Sequence, residues 1–170
     1  MPKLIENPEG RLIAEARRQI AQEGYSAVTI RSVAAGCGVG VGTVYNYFSS
    51  KDELAAAFML EDWQNCITAI QTVSTYAETH KPVLRCIHDQ LNCYAGQHQN
   101  IFRDESAISG FAGSFGKYHR LLRSQIAEPL MKFCADPFLA EFAAESLLTW
   151  TMAGKDFEEL YPVLEKLFKE

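Results

Sequence analysis

The chain has 170 residues, of which 48% are hydrophobic and 22% charged, with 16 basic and 21 acidic side chains and a formal net charge of -5. This composition is typical of a soluble globular protein with one domain, or with a small and a medium domain. An acidic total argues against a nucleic-acid partner. However, residues 1–53 contain six basic and six acidic side chains, so the whole -5 belongs to the rest of the chain.

No apolar run reaches the roughly 18 residues that span a bilayer, and the first residues, MPKLIENPEG, lack the apolar core of a signal peptide. We therefore expect a cytoplasmic protein with no membrane partner. The cysteines are odd in number, without a CxxC pair: Cys37, Cys66, Cys86, Cys93 and Cys134. Because each lies among apolar residues, we expect reduced, mostly buried thiols, with a redox or metal role as the alternative.

Helical periodicity runs along nearly the whole chain, and no segment alternates long enough to predict a strand. The first predicted helix spans Arg11 to Glu23 and ends at Gly24. A short helix capped by Thr29 continues through Ala35, and another runs from about Gly40 to Phe48.

A long helix is predicted from near Lys51 to about Tyr76. Its start is indicated by a capping box, in which the Ser50 hydroxyl accepts from the backbone N–H of Glu53 and the Glu53 carboxylate reaches back. Its apolar stripe consists of Leu54, Phe58, Trp63, Cys66, Ile67, Ile70 and Val73. Such a helix is long enough to connect a head to a body.

Five further regions complete the prediction. Pro82 begins a helix whose apolar face is Leu84, Ile87, His88, Leu91 and Tyr94. Residues 97–116 are looser because of three glycines, and a helix around residues 121–133 ends near Asp136-Pro137. The last two helices cover about 138–153 and 156–169, with Pro162 either kinking the final helix or marking its first turn. The predicted fold is all-α, with a head of three short helices and a larger helical body.

The segment with the most distinctive chemistry has glycine at every second position: Gly36, Gly38, Gly40 and Gly42. A phosphate-binding loop is disfavoured, because the spacing does not match GxGxxG, no Gly-Lys-Ser/Thr is present and no strand precedes the run.

A helix-turn-helix explains these residues better. Ala34 is small enough for two helices to cross closely, and Gly38 tolerates the positive φ of a tight turn. The second helix would then present uncharged hydrogen-bonding and aromatic groups that suit a DNA major groove: Val41, Gly42, Thr43, Tyr45, Asn46 and Tyr47. An unspecialised helical hairpin with a glycine-rich corner is the alternative.

From Ile13 to Leu54 the sequence resembles the DNA-binding head of TetR-type transcriptional regulators. The resemblance depends on Gly24-Tyr25, Thr29-Ile30, Ala34-Ala35-Gly36, the run GTVYNYF from Gly42 to Phe48, and the run SKDEL from Ser50 to Leu54. It implies a helix-turn-helix DNA-binding domain over residues 1–50 and a helical effector-binding and dimerisation domain over 51–170. The implied function is a ligand-responsive repressor that binds a palindromic operator on double-stranded DNA as a homodimer, without a cofactor.

The same resemblance implies a role for each matching residue. Arg31 would reach a phosphate or a base, and Lys51 would pair with a phosphate. Thr43, Tyr45 and Tyr47 would contact phosphates or the groove wall, whereas Val41, Gly42 and Asn46 would lie nearest the base edges. The chain departs from the family at Gly40, where a capping or charged residue is usual, so we expect specificity to depend more on DNA shape.

The body is expected to provide dimerisation and a pocket for a small-molecule effector of unknown identity. By resemblance, the final two helices would form the dimer interface through Ala143, Ser146, Leu147, Trp150, Leu160 and Leu164; these residues closing the monomer's own core is the alternative. The expected pocket residues are Trp63, His88, Tyr94, Phe102, Phe111, Phe115, Tyr118 and His119.

One further site and two other functions were weighed as alternatives. A metal site at Cys86 and His88 is disfavoured, because two residues that are two apart on a helix point in different directions. A small helical enzyme would need a convergent set of catalytic groups, and no spacing joins Asp89, Asp104, Glu105 and His119. The third is a helical protein-interaction module that does not bind DNA.

Overall fold

The computed structural model describes residues 7–113 and 115–168. Within them the regular structure is helical, as predicted: α1 (Pro8–Glu23), α2 (Ile30–Cys37), α3 (Val41–Tyr45), α4 (Lys51–Tyr76), α5 (His80–Gln97), α6 (Gln99–Phe102), α7 (Glu105–Phe111), α8 (Phe115–Ala127), α9 (Pro137–Met152) and α10 (Phe157–Leu164). Two 3₁₀ helices, Glu128–Phe133 and Glu165–Phe168, extend α8 and α10. The all-α prediction is confirmed.

Most differences from the predicted bounds have local causes. α1 begins at Pro8, because the Asn7 side chain accepts a hydrogen bond from the backbone N–H of Gly10 at 3.0 Å and so caps the first turn. α8 gives way to a 3₁₀ helix at Glu128, next to Pro129, whose nitrogen cannot donate to an α-helical ladder. Pro162 lies inside α10 and not in its first turn.

The chain forms two compact units. The head unit contains the described residues up to Asp62 together with His98–Gly113, and the body unit contains Trp63–Gln97 and the described residues beyond 114. The predicted boundary lay at residue 50. The structural head is larger, since it includes the first half of α4 and a segment that returns to it after α5.

The head unit has its own apolar core, built from α1, α2, α3 and the start of α4. Its buried members include Leu12, Ile13, Ala16, Ile20, Tyr25, Val28, Ile30, Val33, Ala34, Val44, Phe48, Leu54, Ala55 and Phe58, with Ile101 and Ala107 from the returning segment. Phe48 is 4% exposed, which confirms its predicted place in the core.

The body unit buries one face of α5, as predicted, against α9, α10 and the two 3₁₀ helices. Aromatic rings connect α5 to the end of the chain: the His80 and Phe168 rings stack with centroids 4.7 Å apart, and the Arg85 guanidinium lies 3.9 Å from the centroid of Phe157. These contacts hold α10 and the 3₁₀ helix that follows it through ring stacking and cation–π attraction.

The five cysteines are all free. Cys66 is buried, Cys37, Cys86 and Cys134 are half-buried, and Cys93 is exposed, so the expectation of mostly buried thiols is wrong for Cys93. Burial raises the pKa of the three half-buried thiols and so lowers their thiolate fraction.

Over the described part of the chain, no three His, Cys, Asp or Glu side chains gather as metal ligands, and no helix is both long and apolar enough to cross a membrane.

Candidate nucleic-acid interface

The turn between α2 and α3 has the geometry of a helix-turn-helix. Gly38 ends α2 at φ 66°, in the left-handed region where a Cβ is unfavourable, and the next N–H, of Val39, donates to the carbonyl of Ala34 at 3.0 Å. Ala34 is 1% exposed, as expected of the small residue at a close helix crossing. α3 begins after Gly40 without a side-chain cap.

The start of α2 is fixed by a capping box. The Thr29 hydroxyl accepts from the backbone N–H of Ser32 at 3.0 Å, while the Ser32 hydroxyl accepts from the backbone N–H of Thr29 at 3.0 Å. Two N–H groups that a helix start leaves without partners are thereby satisfied. The predicted Thr29 cap is confirmed.

α3 presents uncharged groups to solvent. Val44 is fully buried and anchors the helix to the head core, whereas Tyr45 and Tyr47 are 55% and 42% exposed. Gly42 and Asn46 are also exposed, and Val41 and Thr43 are half-buried. The residues predicted to meet DNA therefore lie half-buried or exposed on α3 and on the turn that follows it, and their contact with DNA stays a prediction.

The basic side chains of the head differ in whether they form ion pairs with other residues of the head. Arg17 pairs with Asp62 and Glu61, and Arg18 pairs with Glu15 at 2.7 Å. Arg31, exposed on the first turn of α2, makes no hydrogen bond or ion pair with any described residue. Its charge is therefore available to an external anion.

Lys51 is bound within the head. Its ammonium group donates to the backbone carbonyl of Tyr25 at 2.9 Å and lies 4.1 Å from the centroid of the Tyr25 ring. The Tyr25 hydroxyl in turn donates to Asp52, and burial followed by this hydrogen bond raises the pKa of Tyr25 well above its usual value. Lys51 thus joins the start of α4 to the loop after α1, a contact that sequence reasoning missed.

The predicted capping box at the start of α4 forms only in part. The Ser50 hydroxyl accepts from the backbone N–H of Glu53 at 3.1 Å, as expected. The Glu53 carboxylate, however, accepts from the backbone N–H and hydroxyl of Ser49, both at 2.6 Å, and not from the backbone of Ser50. These bonds from Ser49 lower the pKa of Glu53.

The returning segment is attached to the helix-turn-helix by Asp104. One carboxylate oxygen accepts from the backbone N–H and the hydroxyl of Ser26, at 3.1 and 2.5 Å, while the other caps α7 by accepting from the N–H groups of Ser106 and Ala107. Hydrogen bonds from Ser106 and Ser26 hold the pKa of Asp104 well below its usual range. The loop between α1 and α2 is therefore fastened to a segment 78 residues away in sequence.

A second attachment joins Arg17, Asp62 and His98. The Asp62 carboxylate pairs with the Arg17 guanidinium and lies 3.1 Å from Nε2 of His98. The His98 ring is 3% exposed and stacks on Phe58 with centroids 5.8 Å apart. Burial, opposed by Asp62 and reinforced by Arg17, lowers the pKa of His98. The two points where the chain leaves and re-enters the head unit are thus in contact.

The eight expected pocket residues do not form one group. Phe102 and Phe111 belong to the head unit, whereas Trp63, His88, Tyr94, Tyr118 and His119 belong to the body unit; the side chain of Phe115 lies outside the described residues. Within the body, the Trp63 and Tyr94 rings meet edge to face at 5.5 Å, and the Trp63 indole donates to Gln125 at 2.7 Å. Nε2 of His88 donates to the carbonyl of Lys155 at 2.9 Å, and His119 contacts Glu145 at 3.0 Å.

The expected dimer residues fall into three groups by exposure. Ala143, Leu147 and Leu164 are at most 3% exposed inside the body unit, and Ser146 and Leu160 are half-buried. Ala143, Leu147 and Leu164 therefore close the monomer's own core, which corrects their assignment to an interface.

Trp150 is 51% exposed, and α9 also exposes Phe138 and Phe142 at 65% and 51%. This exposed apolar surface of α9, formed by Phe138, Phe142 and Trp150, is called the α9 face below.

Comparison with known proteins agrees with this geometry. Residues 12–58 match the family model of bacterial regulatory proteins of the tetR family. No curated protein sequence matches the chain.

Similar folds occur among solved structures. One is SCO7518 of Streptomyces coelicolor A3(2), a proposed transcriptional regulator, with 14% identity over 97% of this chain and 100% of that one, at a TM-score of 0.74. Another is a TetR-family regulator from Pectobacterium atrosepticum, with 18% identity over 98% and 91% and a TM-score of 0.70. A third is FadR of Bacillus subtilis, solved with stearoyl-CoA, with 19% identity over 94% and 97% and a TM-score of 0.54.

The family match covers the helix-turn-helix and the start of α4, and the likeness of fold extends along nearly the whole chain. The protein is therefore a DNA-binding transcriptional regulator with the N-terminal domain of the tetR family.

Proposed function

We propose that the protein is a repressor that binds a palindromic operator as a homodimer and releases it when a small molecule binds the body unit. The observation that carries the proposal is the set of uncharged hydrogen-bonding groups on α3 and the turn after it, together with Arg31 on α2, which pairs with none of the described residues. Hydroxyl, amide and aromatic groups can contact base edges and phosphates together, while a guanidinium binds a phosphate with two donors.

Individual roles follow from exposure and chemistry. Arg31 is the main phosphate contact, and Thr43, Tyr45 and Tyr47 donate to phosphates along the groove. Val41, Gly42 and Asn46 lie nearest the bases. Lys51 is held by Tyr25, so its phosphate contact is weaker than that of Arg31.

Dimerisation is supported by the size of the head. A recognition helix of five residues covers too little DNA surface for tight specific binding, so two heads on two half-sites are needed. The α9 face offers aromatic surface that a second copy would cover.

An effector site in the body unit is proposed around Trp63, His88 and Tyr94. The FadR neighbour was solved with stearoyl-CoA, which supports a small-molecule site in a fold of this kind. In this chain the Trp63 and Tyr94 rings contact each other, so a ligand entering here has to separate them. Because the partner is DNA, we also propose that the protein acts in the cytoplasm.

The test for DNA binding is selection of random double-stranded DNA by the purified protein, followed by sequencing. We expect enrichment of an inverted repeat, with a spacing that places two half-sites on one face of the duplex. A protein that enriches no sequence, and binds all DNA equally weakly, contradicts the proposal and favours a protein-interaction module.

The effector is tested by screening small molecules for a change in Trp63 fluorescence, using a Trp150→Phe variant so that Trp63 is the remaining tryptophan. A true effector changes the emission and also lowers operator affinity. A ligand that changes the emission without affecting operator binding contradicts its role as an effector.

A further inference from the structure

The α1–α2 crossing in the head contains a buried polar side chain, Gln19, which is 4% exposed. Its amide nitrogen donates to the Glu15 carboxylate at 2.7 Å and to the backbone carbonyl of Ser32 at 3.0 Å, and its amide oxygen accepts from the Ser32 hydroxyl at 2.7 Å. Both nitrogen partners can only accept, so the orientation of the amide is determined.

The Ser32 hydroxyl has one proton, and it lies within reach of two acceptors, the Gln19 oxygen and the Thr29 carbonyl. The Thr29 carbonyl already accepts from the backbone N–H of Val33 at 3.1 Å. The Gln19 oxygen, which has no other donor among its partners named here, is therefore the better acceptor for this proton. Gln19 is thus bound to the same hydroxyl that completes the capping box of α2.

Two rows of residues face one another across the crossing. One row is Glu15 and Gln19 on α1, the other is Ser32 and Gly36 on α2, and the two residues of each row are four positions apart in the sequence. A side chain at Gly36 would collide with the Glu15 carboxylate. That carboxylate is held in turn by Arg18 and Gln19, whose hydrogen bonds lower the pKa of Glu15 to about 2. The rows are therefore in close contact along about one turn of α2.

The rest of the crossing is apolar, through Leu12, Ala16, Val33 and Ala34. The hydrophobic effect that drives this burial has no direction of its own, whereas hydrogen bonds require both distance and direction. A rotation of α2 by about 10° moves a side-chain tip by about 1 Å, given the ~5–6 Å radius of a helix with its side chains. Arg31 precedes Ser32 on the first turn, so the setting of that turn determines where its guanidinium points.

We propose that Gln19 is a positioning residue for DNA binding: through Ser32 it sets the rotation of α2 and so places Arg31 on its phosphate. This inference depends on the proposed function, because it requires Arg31 to contact DNA. Gln19 itself is buried and touches no DNA.

The test is a double-mutant cycle with the DNA selected by the wild-type protein. Gln19→Met keeps the length of the side chain and removes its hydrogen bonds. We expect it to lower affinity about tenfold when Arg31 is present and less than twofold in an Arg31→Ala background, within the range measured for coupled pairs. Gln19→Met and Arg31→Ala should each reduce the salt dependence of log K by about one unit, and the double variant no further.

The matched control is Gln71→Met, at an exposed glutamine of α4 in the body unit, which should leave affinity and salt dependence unchanged. If Gln19→Met does not fold, Ser32→Ala is the second variant. It removes the hydroxyl that binds Gln19 and introduces a residue that favours helix, and it should show the same coupling to Arg31. Equal losses of affinity in both Arg31 backgrounds, with an unchanged salt slope, would mean that Gln19 has only a structural role. A wild-type protein that enriches no DNA instead overturns the proposed function, and this inference with it.

Discussion

α3 and α9 both expose aromatic side chains, but of different chemistry. α3 and the residues just after it expose Tyr45 and Tyr47, whose phenol groups can donate hydrogen bonds to a polar partner. α9 exposes the phenylalanines Phe138 and Phe142, and Trp150, on a helix whose other side is buried through Ala140, Ala143, Ala144, Leu147 and Leu148. A helix that is apolar on nearly all sides is expected to be covered. The two surfaces therefore suit different partners, a hydrated polyanion for α3 and an apolar protein surface for α9.

The largest expected effect comes from placing a charge on the α9 face. Phe142→Glu should convert the dimer to a monomer and lower operator affinity by about 100-fold or more, because the second head no longer binds intramolecularly. Sedimentation velocity and operator titration measure the two effects. Glu141→Gln, an exposed change on the same helix, is the control. A dimer that survives Phe142→Glu with full affinity would place the interface elsewhere.

An intermediate effect is expected from the cap of α2. Thr29→Ala removes the hydroxyl that accepts from Ser32 and should cost about 1 kcal/mol of unfolding free energy in the head. Chemical denaturation provides the measurement. Thr72→Ala, at an exposed position inside α4, should change stability by much less, since its hydroxyl bonds only to a carbonyl of its own helix. Equal effects of the two changes would show that the head does not depend on this cap.

The smallest effect concerns pH. Because burial lowers the pKa of His98 in the folded head, the unfolded chain takes up a proton below about pH 6.5 more readily than the folded one does. The stability that neutral His98 contributes is therefore complete above that pH and is lost as pH falls. His98→Gln should flatten the decline of the urea midpoint between about pH 7 and 5. Asp62, Arg17, Phe58 and Phe102 surround the ring, and an unchanged slope in His98→Gln would mean that another of the groups near it controls the pH dependence.

Much of the head could be predicted because its signals are local. Gly24, Thr29, Gly38 and Ser50 act on backbone groups within a few residues of themselves, and each ends or begins a helix as expected. The burial of Gln19 could also have been predicted. It lies seven residues after Leu12 on the buried side of α1, where an apolar residue is usual. Its partner on α2, however, depends on how the two helices cross.

The contacts that sequence reasoning missed join residues far apart in the chain. Asp104 binds Ser26, Lys51 binds Tyr25, and His98 contacts Asp62. Taken singly, each of these residues is of a type that is common at an ordinary surface position. The partner of Lys51 in particular, the backbone carbonyl of Tyr25, lies 26 residues earlier in the chain, where no local pattern points to it.

The sequence alone determined the all-α fold, the helix-turn-helix with its turn at Gly38, and the uncharged face of α3, because helix periodicity, caps and positive-φ turns depend on neighbouring residues. Only the tertiary structure decided that Ala143, Leu147 and Leu164 are core and that Phe138, Phe142 and Trp150 are exposed, since a helix that is apolar nearly all round does not reveal which side its own chain covers. It also decided that residues 98–113 complete the head, because the hydrogen bonds of Asp104 and His98 require segments that only the packed chain brings together.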